Sequence, residues 1–275
     1  MKKILLATTL LAGTAGFAAA EGVSVSGSAR MGVIWNETDG ADFSSRTRVS
    51  FSGAGETDGG LSFGFSVRAD QSGQGNTANG DSTVFISGAF GKITMGDAGN
   101  APDSLVGQVS GIGYGSGALD GAADVGFLGG NTATGVSYEY SAGAVTVALG
   151  TGQVGSDYGS VAVKYAGDTY SVALGYEDDG AENMLSVLGS VTLGSATVKA
   201  KAANASDLDD TSYALSVDYA MGAATLTAFY SDDNAEDANY GIGAAYDLGG
   251  GASLKGGVGS VAGENAADLG VTFSF

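Results

Sequence analysis

From Val23 to Phe275, with one long interruption, apolar side chains recur at every second position in segment after segment, and this period of two limits the folds open to the chain. In 23–35 the odd positions Val23, Val25, Ala29, Met31, Val33 and Trp35 are apolar, and Ser24, Ser26, Ser28 and Arg30 lie between them. Segment 43–53 sets Phe43, Val49 and Phe51 against Ser44, Arg46, Arg48, Ser50 and Ser52; segment 61–70 sets Leu61, Phe63, Phe65 and Val67 against Ser62, Ser66, Arg68 and Asp70. Strand side chains point alternately to opposite faces, so each segment has one apolar and one polar side. The pattern resumes at Val136, Tyr138 and Tyr140 and runs to Leu269, Val271, Phe273 and Phe275.

After Glu21 no apolar run approaches the roughly 18 residues of a membrane helix. The closed β-barrel is the other structure that can cross a bilayer, because it too pairs every backbone group internally. Its signature is segments of about ten alternating residues separated by turns. The polar parity here is mostly Ser, Thr, Gly, Ala, Lys and Asp. That composition suits a water-filled lumen better than a packed core. Short linkers at 90–91, 141–143, 166–168, 193–195, 220–223 and 248–251 alternate with longer acidic ones at 36–42, 71–81, 150–157, 177–183, 204–210, 231–238 and 260–267. The expectation is an all-β fold, a transmembrane antiparallel barrel of about 16 strands. Trp35, Tyr138, Tyr140, Tyr165, Tyr176, Tyr219, Tyr230 and Tyr246 share the apolar parity near strand ends, as an interfacial aromatic girdle requires.

Residues 1–20 read as a cleaved secretory signal: Lys2 and Lys3, a short apolar run from Ile4 to Leu11, and an Ala18-Ala19-Ala20 cleavage site. The barrel is then one domain, 21–275. It carries 30 acidic and nine basic side chains, a formal balance of about −21. Such acidity excludes a nucleic-acid partner, which needs a basic face. There is no cysteine and no histidine. Disulfide and thiol chemistry are therefore absent, and the commonest general base is missing. No enzyme is expected.

One stretch breaks the pattern. Residues 98–133 are polar and Gly-rich, hold the only proline, Pro102, and carry Asp103, Asp120 and Asp124. Long connections inside compact β folds are usually functional or disordered; this one is expected to fold into the barrel and narrow it. All nine cations (Arg30, Arg46, Arg48, Arg68, Lys92, Lys164, Lys199, Lys201 and Lys255) fall on polar parity. A cation at the lipid midplane would cost about 2–4 kcal/mol, so avoidance alone explains the parity. It does not explain why all four arginines lie in the first three strands, which should be neighbours. Asp103, Asp120 and Asp124 facing that sector across a gap would create a transverse field that selects by charge and size. The acid pairs Asp178-Asp179, Asp209-Asp210 and Asp232-Asp233 offer clustered oxygens of the kind Ca²⁺ prefers. They lack EF-hand spacing, so solvated loop charge is the reading kept and no cofactor is expected. The glycine runs contain no phosphate-binding loop motif.

Six segments, SGSARMGV (26–33), FSSRTRVSFS (43–52), STVFISGAFGKITMGDA (82–98), YSAGAVTVA (140–148), AYDLGGGASLKGG (245–257) and ADLGVTFSF (267–275), resemble the general porins of the bacterial outer membrane. The likeness is greatest to those of purple photosynthetic and related alphaproteobacteria. It covers the mature chain, with 150–210 matching in pattern only. The resemblance implies a sixteen-stranded homotrimeric barrel in the Gram-negative outer membrane, its third external loop forming an eyelet, and passive diffusion of small hydrophilic solutes and ions. It places Arg30, Arg46, Arg48 and Arg68 on the wall side of the constriction and a loop carboxylate near Asp103. It also makes the terminal Phe275 the signal read by the outer-membrane assembly machinery. Net acidity favours a weak cation preference, against the arginines. The competing readings are a substrate-specific channel, which would need aromatics along the lumen beyond Phe229, a plugged structural or adhesive barrel, and a secreted soluble β-protein.

Overall fold

The computed structural model describes residues 22–72, 77–128, 135–206, 211–234 and 237–275, with backbone alone for 71–72 and 77–81. The signal-peptide expectation and the pair Asp209-Asp210 lie outside the described residues. Sixteen strands form one closed barrel in which each pairs antiparallel with its sequence neighbours, and the last pairs with the first. They are β1 Val23–Asn36, β2 Gly40–Glu56, β3 Ser62–Ser72, β4 Thr77–Gly88, β5 Gly91–Gly96, β6 Gly135–Ala142, β7 Val145–Thr151 and β8 Gly159–Ala166. The second half comprises β9 Tyr170–Asp178, β10 Asn183–Leu193, β11 Ala196–Ala205, β12 Ser212–Met221, β13 Ala224–Asp232, β14 Asn239–Gly249, β15 Ala252–Val261 and β16 Glu264–Ser274. One short helix, α1 Ala101–Leu105, lies between β5 and β6.

Closure runs to the last residue. Gly27 and Phe275 exchange both backbone hydrogen bonds, at 2.7 and 2.9 Å. The Phe275 ring covers Gly27, where a Cβ would collide with it. No strand edge is left unpaired at this seam, which removes the template for chain-to-chain strand addition.

The apolar parity points outward on every strand. Val25, Met31, Phe43, Leu185, Ile242 and Leu269 are exposed on the outer wall, where lipid is their solvent. The aromatics gather at both rims of the wall. Tyr165 and Tyr170 meet at the short-turn end, ring centres 5.6 Å apart, and Tyr213 stacks on Tyr230 at the long-loop end, 6.0 Å apart.

Three linkers are shorter than the sequence suggests: within the expected loop 71–81, β3 and β4 pair as far as Gln71 and Thr77. β1 and β2 pair as far as Asn36 and Gly40, and β15 and β16 as far as Val261 and Glu264. The residues expected in loops 36–42 and 260–267 mostly extend the ladder instead. Strands of 14 and 17 residues exceed the 9–11 that span a bilayer, so these ends stand in water. Polar side chains there join neighbouring turns: Thr38 donates to Glu264 and Asn265 donates to Glu37, both at 2.7 Å.

The packed core is inside the barrel. Val106, Val109, Ile112, Leu119 and Val125 of the 98–133 segment are buried against Ala173, Leu188, Ala214, Phe229 and Ala266 of the inner wall. The long loop therefore folds inward.

Candidate functional site

The loop's path follows from its own sequence and from gaps in the wall. Asn100 caps α1, its side chain accepting from the Asp103 amide at 2.6 Å, and Pro102 occupies the first turn, where no donor is missed. The helix rests on β7 to β9. Ala101 donates to Ser160 Oγ, and Pro102 fills the space that a side chain at Gly175 would take. Further along, the Ser110 amide donates to Ser216 Oγ and Lys199 donates to Ser110 Oγ, each at 2.9 Å. Ile112 then lies over Gly241, Gly243 and Gly257, and Tyr114 lies flat over Gly32 and Gly270. Glycines on the lumen-facing positions of β14, β15, β16 and β1 thus form a shelf for two large inward side chains of the loop.

Gly113, with φ +81°, bends the chain between them; a Cβ there would strike the Asp268 carboxylate. Asp268 instead accepts from the amides of Tyr114 and Gly257. Ser116 reaches Ser44 on β2 at 2.6 Å. The returning limb is tied by Ser231 to the Ala122 carbonyl, by Lys201 to the Val125 carbonyl and by Glu177 to the Leu128 amide. Gln108 braces the two limbs, bonding both backbone groups of Val125. These contacts run from β7 round to β16 and on to β2. None of the contacts just described falls on the inner faces of β3 to β6, and this sector bounds the open part of the lumen.

All nine cations singled out in the sequence occupy lumen-facing positions. Arg30 lies directly opposite Arg46 across β1–β2, and Arg48 opposite Asp70 across β2–β3. Asp70 takes both Arg48, at 2.9 Å, and Arg68, at 2.8 Å. The four arginines therefore form one patch on β1 to β3, beside the open sector. Of the three loop acids, Asp120 comes nearest to that patch, 4.0 Å from Arg30. Asp103 and Asp124 sit toward the opposite wall, in the field of Lys201. Partial burial raises the Asp124 carboxyl above its ordinary range; Lys201 opposes the shift and the nearby carboxylates of Asp120 and Asp103 add to it. Among the described residues no three carboxylates come together as a metal site.

Sequence reasoning missed the residues that hold the loop. Lys201, Glu177 and Asp268 are 2%, 1% and 8% exposed, yet in the sequence they resemble any lumenal polar residue. The legible signal was the run of glycines at inward positions, Gly241, Gly243, Gly257, Gly259 and Gly270, since a wall that lacks side chains on one face has something lying against it.

An apolar outer wall, a charged inner wall and a loop packed into the lumen define a transmembrane barrel that encloses an aqueous passage. Known proteins agree with this class. A family model described as Gram-negative porin matches residues 7–266. The chain is 37% identical over 302 aligned positions to a porin of Rhodobacter capsulatus, covering 92% of this chain and 100% of the relative. Two solved variants of the Rhodopseudomonas blastica porin superpose with TM-scores of 0.81 and 0.80 at 26% and 25% identity, each over 92% of this chain and 100% of that one. The chain belongs to the Gram-negative porin family and is an outer-membrane porin.

Proposed function

We propose that small hydrophilic solutes and ions diffuse passively through the gap between the arginine patch and the inward loop, sieved there by size and charge. The observation that carries this reading is the loop's one-sided seat: it is tied to β7–β16 and β1–β2 and leaves the β3–β6 side clear. Arg30, Arg46, Arg48 and Arg68 form the wall side of the constriction. Asp120 forms the near part of the loop side, with Asp103 and Asp124 lending charge from behind. A fixed gap with opposed charge needs no turnover, no energy input and no resident cofactor, and we assign no catalysis to it. The acidic excess gives a weak cation preference, moderated by the arginines.

Three copies assemble through part of the outer wall that includes β1 and β16. Two shallow apolar grooves there support this, of about 530 Å³ beside Trp35, Tyr240 and Ile242 and about 490 Å³ beside Met31, Phe43 and Leu269. Residues 1–20 direct export and are removed, and Phe275 at the closing seam is read by the assembly machinery. In planar bilayers, purified protein should insert in discrete ohmic steps, and its reversal potential in a KCl gradient should show a slight cation preference. Clear anion selectivity would contradict the charge assignment. Silence from protein that circular dichroism shows to be folded would favour a plugged barrel.

A further inference from the structure

One aromatic ring on the open side of the barrel faces the passage. Phe85 of β4 lies directly opposite Gly64 of β3, and a Cβ at Gly64 would strike the Phe85 ring. The ring therefore lies over this glycine. Gly64 shares the inward parity of Arg68, and the neighbours of Phe85 in the chain, Val84 and Ile86, are exposed on the outer wall, so Phe85 points inward. Among the described residues it is the one large apolar side chain on the inner faces of β3 to β6. Gly64 is buried beneath the ring, while Phe85 itself stays partly exposed. Covering Gly64 accounts for one side of the ring and not for the side turned to water. By contrast Phe229, an inward aromatic on β13, is 5% exposed within the loop's core and is closed to solutes. Gly64 and Arg68 are four residues apart on one strand, about 13 Å, so Phe85 lies on the short-turn side of the arginine patch and outside the constriction.

Polar groups surround this ring. Lys92 of β5 holds its ammonium 4.7 Å from the ring centre. Directly opposite Lys92 on β6 stands Glu139, whose carboxylate makes no hydrogen bond or ion pair among the described residues. Lys92 is exposed and Glu139 partly so. Thr94 faces Phe85 across β4–β5. The wall here thus offers an aromatic face, a donor, an acceptor and a hydroxyl side by side, as ligand sites that combine an apolar surface with a few polar groups do. Lys92 and Glu139 sum to zero charge, which favours a neutral solute over either ion. The face of an aromatic ring is its negative side, and it attracts the weakly positive C–H bonds that make up one flat side of a pyranose. The hydroxyls round a pyranose both donate and accept, and so match an ammonium beside a carboxylate.

We propose that Phe85, Lys92 and Glu139 form a carbohydrate subsite on the open wall, where the ring of a neutral sugar stacks on Phe85 and its hydroxyls bond Lys92 and Glu139. The flexible stem of Lys92 lets the ammonium leave the ring as the sugar arrives. The proposal rests on reading the open sector as the solute path. Binding is weak and the sugar passes on, because the site is a single shallow face.

The test is to titrate methyl β-glucopyranoside into open wild-type channels, with sorbitol at matched viscosity as the control that lacks a ring. The expected result is a saturable fall in conductance beyond that caused by sorbitol. Its half-saturation should rise about fivefold in Phe85→Leu, which still covers Gly64 but has no aromatic face. It should also rise in Glu139→Gln, which leaves the ring and its packing in place, and should stay near wild type in Phe85→Tyr. Each variant is first checked for folding by circular dichroism and for sugar-free conductance. Wild-type channels that conduct but respond to the glucoside only as to sorbitol would overturn the proposal, as would a saturable response unchanged in both Phe85→Leu and Glu139→Gln. Uridine saturating at lower concentration than the glucoside would overturn the sugar assignment in favour of flat aromatic solutes. Folded protein that never conducts would instead overturn the solute path. Saturation-transfer NMR of the glucoside with protein in detergent, wild type against Phe85→Leu, would then decide the subsite by itself.

Discussion

Lys201 of the barrel wall donates to the Val125 carbonyl of the inward loop at 2.8 Å, with its ammonium 3.5 Å from the centre of the Phe127 ring. It also donates to Gln108 at 2.8 Å, the residue that braces the loop's two limbs. One buried cation thus fastens both limbs to β11. Lys201→Ala should remove the clamp and its two charge-assisted hydrogen bonds, while Gln108 and Val125 still satisfy each other, at a cost of about 1.5–3 kcal/mol. Lys201→Met, which keeps most of the volume, should cost less. Denaturant unfolding in detergent measures the loss. Both variants should also show noisier open-channel current as the loop loosens.

Ile112 fixes the position of the loop's far end because Gly243 leaves room for it. A Cβ at Gly243 would lie 2.8 Å from the Ile112 Cβ. Gly243→Val should therefore lift this end of the loop off the wall and into the passage. Single-channel conductance should fall while the β-sheet signal stays unchanged. The same substitution at Gly189, whose Cβ would meet open space, should leave conductance close to wild type.

Asp70 pairs with two half-buried guanidiniums at once. Asp70→Asn removes one negative charge from the wall and leaves Arg48 and Arg68 facing each other across the amide. Reversal potentials should shift toward anions. Stability should fall by about 1 kcal/mol, since water reaches both arginines.

Asp124 contributes a pH dependence from the loop. Partial burial holds its carboxyl above the ordinary aspartate value, so the folded chain binds this proton more readily than the unfolded chain. The stability linked to it is complete below the ordinary value of 3.8 and is lost as pH rises through the folded value. In the channel the consequence is a charge change: as pH falls from neutral, Asp124 is neutralised before ordinary exposed carboxylates. Cation preference should weaken from that pH downward, and Asp124→Asn should remove this early step. Reversal potentials taken across a pH series check it.

The wall was legible because lipid on one side and water on the other enforce a period of two at each strand. That rule gave the count of strands, the outward aromatics and the inward cations. It gave nothing about where the loop would rest. Lys201, Glu177 and Asp268 obey the same parity as residues that merely face water, and only their distant partners distinguish them. Asp103, Asp120 and Asp124 looked equivalent along the chain. They diverge in space because α1 pins Asp103 near β7–β9, while the turns at Gly113, Gly115 and Gly117 carry Asp120 toward Arg30. The expected loops at 36–42, 71–81 and 260–267 failed for a related reason: polar residues at a strand end do not stop a ladder that continues into water.

The central claim is that solutes pass between the arginine patch and the inward loop, with Asp120 at the edge of that gap. The chain has no cysteine, so Asp120→Cys places a single thiol there. The deciding measurement is current through open Asp120→Cys channels during addition of a bulky, charged thiol-specific methanethiosulfonate. The account predicts discrete, irreversible reductions in conductance that are absent from wild type. Rapid labelling, proven by mass, with no change in current would contradict it and move the passage away from this gap.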